Sequence, residues 1–296
     1  MYFKTIDKLD LLEGFPPPEN PLLSLNVLEG TSTLQYNMEI ICDFYIICFK
    51  KIKSGELYYG KTKYDHDKGL MFFAKPGQRL VARGLQYAEK GFAIHLHEDF
   101  LTGHPLFNEI QKYSFFDYEI NEALHVSPRE KEIMWSLFHK MEKEYHDNPD
   151  EFSKPIILSH LDSIFKYAQR FYKRQFIDRK SLTGVTVTKF NENLRKYFDN
   201  DEAEEKGLPT VHDLAAKLYL SPKYLSDLLK QETGKTALEL IHLYVISKAK
   251  NLLIEGERNV AEIAYKLGFE NPPYFSRLFK KEVGMSPKEY KFKFLN

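Results

Sequence analysis

A pattern written twice in the last third of the chain limits what it can fold into more than any other feature. The first copy reads Leu-Ala-Ala-Lys-Leu over residues 214–218, Tyr-Leu-Ser over 224–226 and Leu-Leu-Lys over 228–230. The second reads Ile-Ala-Tyr-Lys-Leu over 263–267, Tyr-Phe-Ser over 274–276 and Leu-Phe-Lys over 278–280. The copies close on Gly234 and Gly284. Apolar residues three and four apart mark two short amphipathic helices in each copy, with a break between them. Ser221-Pro222 and Asn271-Pro272 each offer an N-cap followed by proline at the first helical position. Ala215 and Ala264 are small where two helices must cross closely. The expectation is two helix-turn-helix units, with helices over 211–218, 222–233, 260–267 and 272–283.

Between the copies, Leu240, Leu243, Tyr244, Ala249, Leu252 and Leu253 give helical periodicity over 237–255. A helix of that length spans roughly 28 Å. Successive major-groove faces on one side of B-DNA lie about 34 Å apart. A recognition helix beyond each end of such a spacer suits two adjacent grooves, so double-stranded DNA is the expected partner. The candidates for base contact are Lys223, Ser226 and Asp227 in the first unit and Pro273, Ser276 and Arg277 in the second. The candidates for phosphate contact are Thr210, Ser221, Tyr224, Lys230, Lys235, Thr236, Asn271, Tyr274, Lys280, Lys281 and Ser286.

Charge does not make this prediction easy. The whole chain is neutral, with 42 Lys and Arg against 42 Asp and Glu, whereas a DNA ligand must displace counterions with positive charge. From residue 181 onward there are about 18 basic and about 16 acidic residues, a faintly basic balance. Much of the acid lies in 199–205, and residues 280–293 are clearly basic. The useful charge must therefore be local.

The first part of the chain reads differently. Residues 1–34 carry Pro16-Pro17-Pro18 and Pro21, which forbid helix there, and are expected to be an irregular arm. Apolar, β-branched and aromatic runs at 39–49, 57–64, 70–74, 79–83 and 92–96 alternate with turns at 53–56 and 65–69, a spacing that suggests a β-sandwich or small barrel. His95 and His97 share one face of the last strand, opposite Phe92, Ile94 and Leu96. With Tyr45 they are the candidate effector contacts. No complete metal-ligand set accompanies them, so neither metal nor cofactor is expected. Cys42 and Cys48 read as small buried side chains in a reducing compartment. No signal peptide or membrane-spanning run is present, and the expectation is a cytoplasmic, soluble protein.

Ser127-Pro128 with Glu130 opens a helix that Asp147-Asn148-Pro149 ends. A second helix runs from about 153 to 176. Its Ile157, Leu161, Ile164, Ala168 and Phe171 follow a four-three rhythm, the spacing of a coiled-coil seam, and are the candidates for homodimerisation. Residues 178–184 are expected to link a sensing and dimerisation domain, 1–178, to a DNA-binding domain, 179–296. Within the latter, 187–197 reads as a helix and 199–209 as an acidic loop.

The second repeat resembles the signature of the AraC/XylS family of transcription regulators. The likeness is carried by Ile263-Ala264, Leu267-Gly268-Phe269, Tyr274-Phe275-Ser276-Arg277, Phe279-Lys280-Lys281, Gly284 and Ser286-Pro287. Residues 72–78 (Phe-Phe-Ala-Lys-Pro-Gly-Gln) and 98–101 (Glu-Asp-Phe-Leu) resemble that family's N-terminal domain more loosely. The resemblance implies an α+β chain: an N-terminal cupin-like β-barrel that senses a small-molecule effector or partner, helices that dimerise, and an all-α C-terminal domain whose two units are joined by a long helix. It also implies transcription regulation, with RNA polymerase as a possible contact, and no enzymatic activity. The chain departs from the family pattern at Asp227, where Arg is common, at Tyr219, where Gly is common, and at Pro272-Pro273, which replace polar side chains. Two competing readings are a protein-interaction module whose repeats no longer grip DNA and a cupin-type metalloenzyme with an unrelated helical tail. Steep salt dependence of DNA binding separates the first, and bound metal after purification separates the second.

Overall fold

The computed structural model describes residues 1–28, 38–54, 58–59, 62–63, 70–82, 86–118, 122–147, 150–178 and 180–295. The turn expected at 65–69, residues 55–56 of the turn at 53–56, and Arg83 and Arg179 lie outside them. The chain divides into two compact units, Met1–Asp178 and Arg179–Asn296.

The first unit opens with β1 (Tyr2–Phe3), α1 (Ile6–Glu13) and β2 (Leu23–Leu28), followed by β3 (Met38–Cys42), β4 (Tyr45–Ser54), β5 (Tyr58–Tyr59) and β6 (Thr62–Lys63). Next come β7 (Leu70–Ala74), β8 (Arg79–Ala82), β9 (Gln86–Leu96), α2 (Leu106–Glu109) and β10 (Leu124–His125), then α3 (Pro128–His146) and α4 (Ser153–Asp178). Residues 1–28 of the expected irregular arm thus form two strands and a helix, and its residues 29–34 lie outside the described ones. The prolines bear only on residues 15–21, which leaves a full helix before them and a strand after.

The expected closed, cupin-like barrel is not formed. The strands make separate sheets, one of three strands in the order β1-β3-β8, one of five in the order β10-β7-β4-β9-β2, and the β5-β6 pair. The apolar run at 39–49 is two strands in different sheets, broken at Asp43-Phe44. The edges of the five-stranded sheet are occupied by helix side chains instead of a closing strand. At one edge the His125 amide donates to Gln175 Oε1 (2.7 Å), and the His125 carbonyl accepts from Arg174 Nη2 (2.8 Å), both from α4. At the other, Tyr145 of α3 accepts from the Asn20 amide and donates to the Leu23 carbonyl, each at 2.8 Å. Covering an edge with a helix satisfies the same polar groups that barrel closure would.

One face of that sheet packs on α3 and α4 through aromatic rings. Phe92 stacks on Phe138 of α3 at 4.5 Å and meets Trp135 edge-on at 5.3 Å, while Phe73 meets Tyr172 of α4 at 6.4 Å and Phe115, in the turn at Ser114–Asp117, at 4.4 Å. The opposite face buries Ile46, Cys48 and Ala93 with Phe3, Ile6, Leu9 and Cys42 under α1. Both cysteines are buried and unpaired to each other. Burial pushes each thiol up to about 12, so neither is a ready nucleophile.

The seam expected to pair two copies is enclosed within this chain. Ile157, Leu161, Ile164, Ala168 and Phe171 are all 4% exposed or less. On α4 beside them, Phe165 packs against Tyr113 and Phe116. A four-three rhythm specifies a buried stripe, and here the core of its own unit covers it.

The second unit is all helix: α5 (Lys180–Asp199), α6 (Glu202–Lys206), α7 (Val211–Lys217), α8 (Pro222–Thr233), α9 (Ala237–Glu255), α10 (Val260–Lys266), α11 (Pro272–Val283) and α12 (Pro287–Leu295). Residues 180–184, expected in a linker, belong to α5. The expected acidic loop contains α6, whose Ala203 enters the core. A single cluster joins Phe190 and Leu194 of α5, Leu214 and Ala215 of α7, Leu225 and Leu229 of α8, Ile241 and Val245 of α9, and Phe275 and Phe279 of α11.

Candidate nucleic-acid interface

Each helix-turn-helix unit is built by caps at fixed places. Thr210 opens α7 and Asn259 opens α10 with reciprocal capping boxes to Asp213 and Glu262. Ser221 Oγ and Asn271 Oδ1 each accept, at 3.2 Å, from the amide three residues on, Tyr224 and Tyr274. Thr236 and Ser286 repeat the capping box before α9 and α12, with Glu239 and Glu289. The Thr210, Thr236 and Ser286 hydroxyls also donate to these carboxylates, at 2.6, 2.9 and 2.8 Å. Three residues expected at phosphates therefore have both hydrogen-bonding roles of the hydroxyl engaged within the chain. Side-chain bonding from Thr210 holds the Asp213 carboxyl below its usual range. Backbone bonding from Thr236 and Ser286 does the same for Glu239 and Glu289.

The turns differ. Tyr219 in the first adopts φ +59° with its ring exposed, and Gly268 in the second adopts φ +86°. The left-handed region costs an L side chain about 1–2 kcal/mol, so the first turn carries strain that the second avoids.

On α8, Leu225, Leu228 and Leu229 face inward, Lys223 and Lys230 are exposed, and Ser226 and Asp227 are half-buried. Lys223 pairs with Asp227 one turn on at 3.4 Å. Tyr224, expected at a phosphate, is wholly buried. On α11, Phe275, Leu278 and Phe279 face inward, while Pro273, Tyr274, Arg277, Lys280 and Lys281 are exposed and Ser276 is half-buried.

The charge puzzle resolves by pairing. The acidic stretch before the first unit holds cations on its own and on neighbouring helices: Glu202 with Lys206 (3.0 Å) within α6, and Asp199 with Lys248 (2.9 Å), Glu202 with Lys217 (3.9 Å) and Glu204 with Lys266 (3.3 Å) between helices. Lys230, Lys235, Arg277, Lys280 and Lys281 form no ion pair among the described residues. Lys291, within the basic final stretch, is engaged structurally. Its ammonium donates to the Gly256 and Arg258 carbonyls at 3.0 and 2.8 Å, at the C-terminal end of α9. Nothing in its sequence spacing marks that role.

The expected effector residues lie elsewhere. Tyr45 is buried, and burial lifts its hydroxyl to about 12. His95 is 1% exposed and meets Asp10 of α1 at 2.7 Å, with Asn26 also donating to Asp10 at 3.3 Å. His97 is partly exposed and caps the turn at Glu98–Leu101 through Asp99. At His95 the face of β9 is covered by α1, and His97 lies just beyond the strand's end. Among the described residues, no group of three or more His, Cys, Asp or Glu could hold a metal ion, and no helix is long and apolar enough to cross a membrane.

Known proteins bear on the second unit. Residues 214–292 match the sequence family described as helix-turn-helix domain. The chain is 40% identical over 96 residues to the uncharacterized transcriptional regulatory protein YesN of Bacillus subtilis, covering 31% of this chain and 26% of that one. It is 29% identical over 111 residues to the transcriptional activator RhaR of Yersinia pseudotuberculosis, covering 38% of this chain and 34% of that one. Thus it spans about a third or less of the curated relatives it matches. Among solved structures, the C-terminal domain of AraT, a response regulator from Geobacillus stearothermophilus, is 33% identical. That match covers 35% of this chain and 84% of that one, with a TM-score of 0.31. The C-terminal region of this chain is a helix-turn-helix region of the kind that transcriptional regulators carry.

Proposed function

We propose that the chain is a sequence-specific DNA-binding transcription regulator of the AraC/XylS type, gripping duplex DNA through α8 and α11. The observation that carries this reading is a set of exposed cations with no ion-pair partner among the described residues: Lys230 and Lys235 at the first unit, and Arg277, Lys280 and Lys281 at the second. They sit on or just beyond helices whose opposite faces are locked into one core. The spacer α9 has 19 residues, or about 28 Å of helix, which suits recognition helices in successive major grooves. In this reading Pro273, Ser276 and Arg277 face base edges, and the start of α8, with Lys223 and Asp227, lies in the neighbouring groove. Lys230, Lys235, Tyr274, Lys280 and Lys281 face phosphates.

The test is selection of duplexes from a random-sequence pool by the full chain. A shared motif after repeated rounds supports the reading, and a pool that stays random overturns it.

A further inference from the structure

We infer that base reading is confined to the second helix-turn-helix unit, and that Ser226 in the first is a positioning residue tying its recognition helix to the spacer helix α9. The inference rests on the DNA-binding reading above and narrows it.

Ser226 and Ser276 occupy the same place in the repeat, fifty residues apart. Ser226 Oγ accepts the amide of Ala237, the first residue of α9, at 3.4 Å. That amide is one of the donors a helix start leaves without an intrahelical partner. Fifty residues on, α12 begins with Pro287, which has no N–H to give. The Ser276 hydroxyl accordingly makes no hydrogen bond among the described residues. One substitution, alanine to proline at the start of the next helix, releases a hydroxyl in the second unit that the first unit uses internally.

The neighbouring positions follow the same division. Asp227 is held against Lys223, so α8 presents a carboxylate beside its one N-terminal cation, and that pair is neutral toward phosphate. The matching residue on α11 is Arg277, exposed and with no carboxylate partner among the described residues. A free guanidinium can pair with the O6 and N7 edge of guanine through two hydrogen bonds. Tyr224 is fully enclosed, whereas Tyr274 is 42% exposed. At three matched positions the first unit's group is engaged or enclosed and the second unit's is open. The first unit keeps Lys230 and Lys235 for phosphate, which supports affinity without reading sequence.

The experiment uses the full chain and a duplex enriched from random sequence, with every base pair of the protected region substituted in turn. Substitutions that weaken binding, each by about 5- to 150-fold, are expected to cluster in one half of a protected region that spans both grooves. Arg277→Ala is expected to flatten the response at one base pair in that half. Ser276→Ala is expected to do so at a neighbouring one. Ser226→Ala is expected to weaken all duplexes by a common factor and leave their ratios unchanged, with Ser226→Thr restoring affinity by returning the hydroxyl. Strong base dependence in both halves, or a change in base ratios on Ser226→Ala, overturns the inference while leaving DNA binding intact. A pool that never enriches overturns both.

Discussion

A Cβ built on Gly268 would lie 2.6 Å from the carbonyl carbon of Gly207, with the Leu208 nitrogen and the Ala203 oxygen also within 3 Å. The turn of the second helix-turn-helix unit therefore seats directly on the backbone that leads into the first. That backbone is held in turn, because the Gly207 carbonyl accepts from the Tyr197 hydroxyl at 2.9 Å. The two units share one frame, and the fit leaves no space for a methyl group.

Gly268→Ala meets all three backbone atoms and an unfavourable φ. Overpacking and the left-handed conformation together predict a loss of about 2–4 kcal/mol. Tyr219→Gly, at the matching turn of the first unit, relieves strain with no such contact, and the expected change is a gain of up to about 1 kcal/mol. Chemical denaturation of the two variants checks the opposite signs.

Arg277→Ala removes the unpaired guanidinium of α11. Its expected cost is about 1–3 kcal/mol at a single base pair, read as the ratio of affinities for the selected duplex and for one altered there. Lys280→Ala weakens all duplexes alike and lowers the salt slope by about one.

Glu232, on α8, gives the helical region Arg179–Asn296 a pH dependence with a definite sign. Its Oε1 is buried with no hydrogen-bond partner, and burial raises its carboxyl to about 7. A carboxyl in the unfolded chain titrates near pH 4.3, so its contribution to stability is complete below that pH and is lost as pH rises through 7. The group is only partly enclosed, and the loss is expected to be of order 1 kcal/mol. Glu232→Gln should flatten stability between pH 5 and pH 8, on the order of the same figure. Asp213, Glu239 and Glu289, held below their usual range by cap bonding, act oppositely, and their stabilisation falls away in acid. Thermal melts of wild type and the Gln variant across pH separate the two trends.

Leu161 is wholly buried on α4. Leu161→Ala should cost about 2–5 kcal/mol of stability, and the loss should not depend on protein concentration. A midpoint that rises with concentration would instead place Leu161 in a contact between copies.

The helical third of the chain was legible because its signals are local. Caps at Thr210, Ser221, Asn259 and Asn271, prolines at 222 and 272, and apolar faces at helical spacing act within a turn or two. The observed α8, α9 and α11 follow them closely. The first unit was less legible because its outcome depends on distant partners. Whether strands close into a barrel turns on edges, and here Arg174, Gln175 and Tyr145 reach those edges from helices far along the chain. The four-three rhythm on α4 marks a stripe that must be buried, but periodicity does not say what covers it. The same holds at the candidate site. Exposure of Arg277 follows from its place on the helix, while the pairing of Asp199, Glu202 and Glu204 with lysines on other helices does not.

Affinity of the full chain for its selected duplex, measured at several salt concentrations between 50 and 200 mM, tests the central claim most directly. A grip through Lys230, Lys235, Lys280 and Lys281 on phosphate releases counterions, so the binding constant should fall steeply, by about 10²-fold over that range. A binding constant that stays flat over that range contradicts DNA recognition by these two units.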